Sequence, residues 1–367
     1  MSAESRLAPP SEPSTAIERL FYPPHPEPWS RRALLSPVAA LAWGYGLGVR
    51  VRKSLYDSHL WKGERIEGLR VISVGNVNVG GMGKTPAVLY LAERLVEAGR
   101  KVGILTRGYG RLSKSPLTFT GTGPLPSIEE AGDEPLLLAR RCPKVRILVG
   151  ADRRALARRA RDEFGLEVVL LDDGFQHRQL ARDEDVVVVD ESVGFGNGCL
   201  LPRGPLREPL SALKRATLIW VRAAQGPAAS LPLLPERRVR TRYQPSAWVD
   251  PGGAIHPAGA LRGVSVLALA GLARPGSFLR TLNHLGVEVR DSALFPDHHR
   301  FTEGELRDIE TRASRQGVRV VTTEKDAVRL PHGFPAWAVR LGVEVLEGEL
   351  LLREALGLRG GRAAPST

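Results

Sequence analysis

Leu69-Arg-Val-Ile-Ser-Val74, followed four residues on by Asn78-Val-Gly-Gly-Met-Gly-Lys-Thr85, is the stretch that decides the fold. An apolar run enters a glycine loop, then Lys-Thr, then a helix-forming segment. These are the parts of a phosphate-binding loop. Glycines let the backbone wrap phosphate oxygens with its N–H groups turned inward. Lys84 is expected to reach the β- and γ-phosphates, and the Thr85 hydroxyl to ligate Mg²⁺. A helix predicted over 86–98 aims its positive end at the same anion, and Pro86 suits its first turn. The general pattern begins with Gly where this chain has Asn78, and Asn tolerates positive φ better than most residues. A glycine-rich turn with a chance Gly-Lys-Thr is the competing reading. It leaves the flanking strand and helix unexplained.

Outward from the loop, short runs rich in Val, Ile and Leu recur at 71–74, 102–105, 145–149, 168–171, 186–189 and 218–221. Such runs suit strands buried on both faces of a parallel sheet. Helical stretches intervene at about 86–98, 133–141 and 152–163. The fold class is α/β, a P-loop NTPase-like doubly wound parallel sheet with a smaller second α/β domain. Residues 57–240 form the ATP-binding domain in this reading. Pro and Gly clusters near 224–235 and 245–257 place a linker, with extended segments in it, at 241–260. Residues 261–359 are the second domain, with strands at 264–270 and 318–322 and helices near 277–285 and 303–316. Residues 1–30 and 360–367 read as disordered ends.

A chain of 367 residues, 43% hydrophobic and 25% charged, can bury two ordinary cores. Its two cysteines, Cys142 and Cys199, form no pairing pattern, which argues against a disulfide framework and fits a reducing compartment. No Cys/His cluster has zinc spacing. A net charge of +12 points to acidic partners: nucleic acid, anionic lipid or a phosphorylated substrate. With no helix-turn-helix, zinc or RNP motif and 6% aromatic residues, no nucleic-acid partner is expected. The N-terminal region favours lipid. Arg31 and Arg32 precede 33–49, which carries no charge, and Arg50, Arg52 and Lys53 follow. Trp43 and Tyr45 suit a membrane interface. The apolar stretch is shorter than the roughly 20 residues of a spanning helix, and Pro37 and its glycines weaken it. No signal-peptide cleavage site stands out. Residues 31–56 are therefore read as a membrane-associated helix lying in an anionic surface. The alternative is a core helix with basic flanks.

Three more constellations carry chemistry. Glu167-Val-Val-Leu-Leu-Asp-Asp173 is a strand ending in paired carboxylates, Walker-B-like, which nominates Asp172 and Asp173 for Mg²⁺, with Asp173 the closer contact. Gly132-Asp-Glu-Pro135 opens a helix, and Asp133 is either a cap or a functional acid. Phe295-Pro-Asp-His-His-Arg-Phe301 sets two histidines beside an aspartate; adjacent side chains point apart, so a two-histidine metal site is not expected. Arginines at 153, 154, 158, 159 and 161 form a basic cluster on a predicted helix, either a solvated face or a phosphate contact.

In order along the chain stand Val74-Gly-Asn-Val-Asn-Val-Gly-Gly-Met-Gly-Lys-Thr-Pro86, Thr106-Arg-Gly-Tyr-Gly-Arg111, Gly132-Asp-Glu-Pro135 and Leu171-Asp-Asp-Gly-Phe-Gln-His177. Leu206-Arg-Glu-Pro209, Ala273-Arg-Pro275, Phe295-Pro-Asp-His298 and Thr323-Glu-Lys-Asp326 follow. Together they resemble the tetraacyldisaccharide 4'-kinase family, the lipid A 4'-kinases of Gram-negative envelope synthesis, over about 33–345. The resemblance implies transfer of the γ-phosphate of ATP, with Mg²⁺, to the 4'-hydroxyl of a tetraacylated disaccharide 1-phosphate in lipid A biosynthesis. It implies work on an anionic membrane surface, the cytoplasmic face of the inner membrane. The nucleotide would be held by Asn78, Val79, Gly80, Gly81, Met82, Gly83, Lys84, Thr85, Gln176 and Glu208. The metal would be held by Thr85, Asp172 and Asp173, and substrate by Arg153. Asp133, assisted by His298, would act as base. Asn at position 78 fits the family. Two other classes are weighed against this: a soluble P-loop kinase of a small metabolite, and a nucleotide-switch ATPase of the partitioning or metal-insertion type. Oligomeric state is not legible.

Overall fold

Val71 faces one side of its strand and Ile72 and Val74 the other, and all three are buried. Both faces of the sheet are therefore covered, as the unbroken apolar runs require. The computed structural model describes residues 20–23, 28–224, 226, 228–229, 231, 234–272 and 275–358. The strands are β1 (Arg70–Gly75), β2 (Val102–Thr106), β3 (Leu117–Phe119), β4 (Arg146–Val149), β5 (Val168–Asp172), β6 (Glu184–Asp190), β7 (Leu218–Arg222), β8 (Arg238–Val249), β9 (Ile255–Pro257), β10 (Ser265–Gly271), β11 (Glu288–Phe295), β12 (Arg319–Thr323) and β13 (Ala336–Glu347). They form one sheet in the order β11-β10-β12-β13-β8-β7-β6-β1-β5-β2-β4-β3, with β9 on β8.

The helices are α1 (Trp29–Leu34), α2 (Ser36–Asp57), α3 (Lys84–Glu97), α4 (Ile128–Ala131), α5 (Asp133–Arg141), α6 (Arg153–Asp162), α7 (Pro275–His284), α8 (Glu303–Gln316), α9 (Glu324–Ala327) and α10 (Glu349–Ala355). Buried side chains of α3 and α5 cover one face of the first half of the sheet, and α6 covers the other. In the second half, Phe278 and Leu282 of α7 lie on one face and Leu306, Ile309 and Ala313 of α8 on the other. Each half is doubly wound. Their strands run parallel except at the β3 edge, the short β9 and the antiparallel seam of β8 with β13. The last helix returns to the first half: Leu352, Ala355 and Leu356 share a core with Ile72 and Ala87, and Arg70 Nη2 donates to Ala355 O at 2.8 Å.

Residues 241–260, expected as a linker, hold most of β8, all of β9 and a short 3-10 turn. The Pro and Gly signals there have local causes. Pro245 lies opposite Leu341 at a register shift, where a missing N–H is tolerated. Gly252 and Gly253 make the β8–β9 turn, with Asp250 Oδ1 accepting from the Gly252 and Ala254 N–H groups at 2.9 Å. β11 and β13 escaped the sequence reading because much of their surface is only half buried, so no apolar run marks them. Within the expected disordered N-terminal extension, the Phe21 carbonyl accepts from Asn197 N at 2.9 Å. The rest of that extension's 1–19 and 24–27, the tail from 359, and Ala273 and Arg274 of one quoted motif lie outside the described residues.

Among the described residues no helix is long and apolar enough to cross a membrane. α2 buries Ala42, Gly46 and Tyr56, yet exposes Leu41, Trp43, Tyr45, Leu47 and Val51, and α1 exposes Trp29 and Leu34. The helix is pinned beside the sheet's loops: Tyr45 Oη donates to Arg207 O at 2.9 Å and Arg52 Nη2 to Gln176 O at 2.7 Å.

Candidate active site

The loop 76–83 leaves β1 and enters α3 at Lys84. Gly83 has φ +82°, and a Cβ there would come within 2.6 Å of the Tyr243 ring, so the position admits only glycine. Tyr243 Oη, from β8, donates to Gly83 O at 2.8 Å, and Trp220 Nε1 donates to Tyr243 Oη at 3.0 Å. The loop's outer side is tied to 194–207: Val79 N donates to Pro205 O at 2.8 Å and Asn78 Nδ2 to Gly194 O at 3.0 Å. Asn78 is buried and does not have positive φ. Its amide, rather than tolerance of a left-handed backbone, explains the residue. Met82 is buried, while Gly80, with φ +97°, and Gly81 have open space where a Cβ would point. Lys84 Nζ sits 3.2 Å from Asn76 Oδ1 and 3.4 Å from Asp173 Oδ1.

β5 pairs with β1, so its end delivers Asp172 and Asp173 beside that lysine. Asp173 has φ +51°, an uncommon conformation that Asp tolerates. Its carboxylate takes both Arg207 Nη1 contacts, at 2.8 and 3.0 Å. Burial works against its charge, but Lys84 and Arg207 outweigh burial and hold the carboxyl below its usual range. Asp172 is fully buried and accepts from Thr106 Oγ1 at 3.3 Å. Burial, with Glu134 and Asp173 nearby, pushes it up to about 7 against the pull of Lys84. The two carboxylates are hard oxygen donors of the kind Mg²⁺ takes, one or two at a time, completing its shell with phosphate and water. Among the described residues no group of three or more His, Cys, Asp or Glu is placed to hold a metal ion.

Asp133 is the first residue of α5, but the cap position is Gly132 and no side chain caps the helix. Asp133 Oδ2 lies 2.9 Å from His298 Nδ1, and Oδ1 accepts from Glu134 N at 3.0 Å. Burial would raise this carboxyl, yet the His298 hydrogen bond, with Lys325 and Arg329 behind it, lowers it. His298 sits at φ +59° and is raised above its ordinary value by the Asp133 bond. Its far nitrogen, Nε2, is 3.2 Å from Lys325 Nζ. His299 turns away, bonding Glu305 at 3.1 Å and stacking on Phe295, so the two histidines share no target. Glu134 joins the two clusters: burial raises its carboxyl, and it feels Lys325, Asp133 and Lys84.

Arg153 opens α6 with 2% exposure, and its Nε and Nη1 find no partner among the described residues. Burial, with Arg107 close by, pulls it down to about 10. His177, pulled down to about 4 by burial and by Arg153, Arg107 and Arg182, leaves Nε2 similarly unpartnered. The other arginines of the cluster are solvated pairs: Arg154 with Asp152, Arg158 with Glu64, Arg159 with Glu163 and Arg161 with Asp162. Gln176 Nε2 donates to Asn76 O at 2.9 Å, beneath the phosphate loop. Glu208 is buried against Arg215 at 3.1 Å, and Arg215 lies over the Phe175 ring. The sequence reading assigned no role to Arg207, Lys325, Tyr243 or Asn76. The first two stand inside quoted motifs, Leu206-Arg-Glu-Pro209 and Thr323-Glu-Lys-Asp326, and that placement was the available signal.

The Tetraacyldisaccharide-1-P 4'-kinase family model matches residues 31–356. The chain is 46% identical to a Tetraacyldisaccharide 4'-kinase of Anaeromyxobacter dehalogenans strain 2CP-C, over 93% of this chain and 95% of that one. It is 39% identical to one from Syntrophus aciditrophicus, over 85% and 88%. A crystal structure of the "apo" form LpxK from Aquifex aeolicus in complex with ATP superposes with a TM-score of 0.73 at 33% identity, covering 90% of this chain and 99% of that one.

Proposed function

The chain belongs to the Tetraacyldisaccharide-1-P 4'-kinase family, and from that premise we propose how its residues divide the work. It is an ATP-dependent kinase that phosphorylates the 4'-hydroxyl of a tetraacyldisaccharide 1-phosphate in lipid A biosynthesis. The nucleotide lies on the loop 78–85 with Lys84 at its terminal phosphates, beside Gln176. Glu208, paired with Arg215, is placed at the same nucleotide site. Thr85, Asp172 and Asp173 would hold Mg²⁺, which neutralises charge on the phosphates. Arg207 and Lys84 both pair with Asp173, which puts two cations where the terminal phosphates would lie.

The acceptor hydroxyl is a weak nucleophile, so a placed base helps as its oxygen bonds to the γ-phosphorus. Asp133 takes the hydroxyl proton; the bond from γ-phosphorus to its bridging oxygen breaks, and ADP leaves with that electron pair. His298 orients Asp133 and keeps it ionised. It comes from the other half of the sheet, so the base is complete only where the two halves meet. The 2.9 Å Asp133–His298 contact, next to a Glu134 that also feels Lys84 of the phosphate loop, is the observation that carries this reading. Arg153, with donors unused, meets an anionic or hydroxyl group of the substrate. The exposed apolar faces of α1 and α2, flanked by Arg31, Arg32, Arg50 and Lys53, rest on an anionic membrane, the cytoplasmic face of the inner membrane. The test is transfer of labelled γ-phosphate to detergent-dispersed tetraacyldisaccharide 1-phosphate, with the product's 4'-phosphate identified. ATP hydrolysis without a phosphorylated lipid would overturn the proposal.

A further inference from the structure

The four residues Thr323-Glu-Lys-Asp326 are each bonded to something that shapes the base. Thr323 Oγ1 accepts from Asp326 N at 3.1 Å and caps α9. Asp326, fully buried, accepts from Gly271 N at 3.2 Å and pairs with Arg329. Arg329 in turn donates to Gly271 O at 3.0 Å and to His299 O at 3.1 Å, fixing the turn that carries His298. Glu324 binds Arg141 at 2.7 Å and Arg340 at 2.8 Å, which ties α9 to the far end of the helix that Asp133 opens. Lys325 is left pointing at the dyad. Its Nζ lies 3.0 Å from Asp297 Oδ1 and 3.2 Å from His298 Nε2.

We propose that Lys325 is a positioning residue that keeps Nε2 of His298 bare, so that a neutral imidazole donates from Nδ1 to Asp133. The inference rests on the phosphotransfer reading for its consequence, but its geometry stands alone. An ammonium has three donors and no acceptor, so a contact at 3.2 Å requires a bare lone pair on Nε2. A neutral imidazole carries one N–H, and it must then sit on Nδ1, 2.9 Å from the Asp133 carboxylate. The opposite tautomer would set a lone pair against the carboxylate and an N–H against the ammonium. Both contacts would repel.

The groups facing His298 are Asp133 and Glu134 of α5, Asp297 of its own turn, Lys325 of α9 and the ring of Tyr109 at 5.9 Å. Asp133 and Asp297, whose Oδ2 lies 3.8 Å from Nε2, favour the imidazolium, while burial and Lys325 oppose it. Removing the ammonium therefore frees the ring to protonate at higher pH. An imidazolium against Asp133 makes that carboxylate a weaker base, so the ammonium also protects the rate near neutrality.

The full-length chain carrying Lys325→Met or Lys325→Arg tests this by two measurements. The first is the ¹⁵N shifts of the His298 ring, assigned by difference from His298→Ala. Wild type should show a protonated Nδ1 and a bare Nε2 above its titration, and Lys325→Met an Nε2 that takes up its proton at higher pH while Nδ1 stays protonated against Asp133. The second is the pH profile of kcat. Lys325→Met should lower kcat at pH 7 about tenfold and move the acid limb up by about one pH unit, with KM for ATP within about twofold of wild type. Lys325→Arg should return the limb towards its wild-type position. Unchanged ring shifts in Lys325→Met overturn the proposal, as does a rate loss with an unmoved limb. If wild type fails to phosphorylate the lipid, the phosphotransfer reading falls, and the ring shifts still decide the role of Lys325.

Discussion

The two ends of the cleft are built differently. The phosphate end is local: Asn76 through Thr85 form one continuous stretch, and its lysine meets an acid at the end of a neighbouring strand. The acceptor end is remote: Asp133 and His298 stand 165 positions apart, on opposite halves of the sheet. A local loop keeps its shape through its own glycines and neighbours. A remote pair exists only while both halves hold their places across the β8–β13 seam. The first should therefore fail by chemistry alone, and the second by geometry as well.

The largest effect is expected at the local end. Lys84→Ala removes a charge matched to the transferring phosphoryl group, and we predict a loss in transfer on the order of 10³-fold or more. Asp173→Asn should approach it. Near-normal labelled-phosphate transfer in both would break the phosphate-loop half of the comparison.

At the remote end, Asp133→Asn should lower kcat by about 10²- to 10⁴-fold with KM for ATP little changed. Asn caps helices about as well as Asp, so a mere cap would keep its rate. His298→Ala should cost less than Asp133→Asn, and His299→Ala least, because His299 faces Glu305. Equal losses from the two histidines would erase the distinction between the dyad and its turn.

The remote pair should also show in stability against pH. His298 is raised by Asp133, so its contribution is full below the ordinary histidine value near 6.5 and fades as pH rises through the raised one. Asp133, lowered in the fold, stays ionised throughout that window. The Tm deficit of His298→Ala relative to wild type should accordingly be larger at pH 6 than at pH 9. A deficit independent of pH would mean that the contact adds packing and no charge pairing.

A smaller effect is expected where the seam touches the loop. Tyr243→Phe removes the donor to Gly83 O and strands Trp220 Nε1, a loss of about 1–3 kcal/mol for a buried unpaired group. KM for ATP should rise a few-fold while the dyad's pH profile stays put. Smallest for turnover on detergent-dispersed lipid is the exposed face of α2. Trp43→Ser with Leu47→Ser should leave that rate near wild type but lower binding to anionic liposomes several-fold, since both side chains face outward. Liposome binding that ignores these residues and salt would remove the membrane from the reading.

The local end was legible in the sequence because its signals are themselves local. The runs at 102–105 and 168–171 returned as β2 and β5 within a residue, and 133–141 returned as α5. The seam was not legible. Pro245 and Gly252-Gly253 look like linker punctuation in one dimension; the first becomes a bulge only when β13 lies alongside, and the second a turn only when β9 folds back on β8. Asp133 beside His298 came from resemblance to a family, since nothing in spacing joins positions so far apart. The roles of Lys325 and Arg207 stayed hidden for the same reason: each is defined by a partner from another element.

The return of α10 to the first half sets the order in which the chain can be made. Leu352, Ala355 and Leu356 join a core that also holds side chains of β1, α3, β6, β7 and β8. A nascent chain has all of its phosphate loop outside the ribosome long before that helix is synthesised, so we expect the ATP-binding half to mature late rather than as an independent N-terminal unit. Residues 70–223 should stay protease-sensitive in a truncation ending at 347, and gain protection together with the second half when 348–358 are restored. Protection of 70–223 in the truncated chain would show instead that the half folds without its last helix.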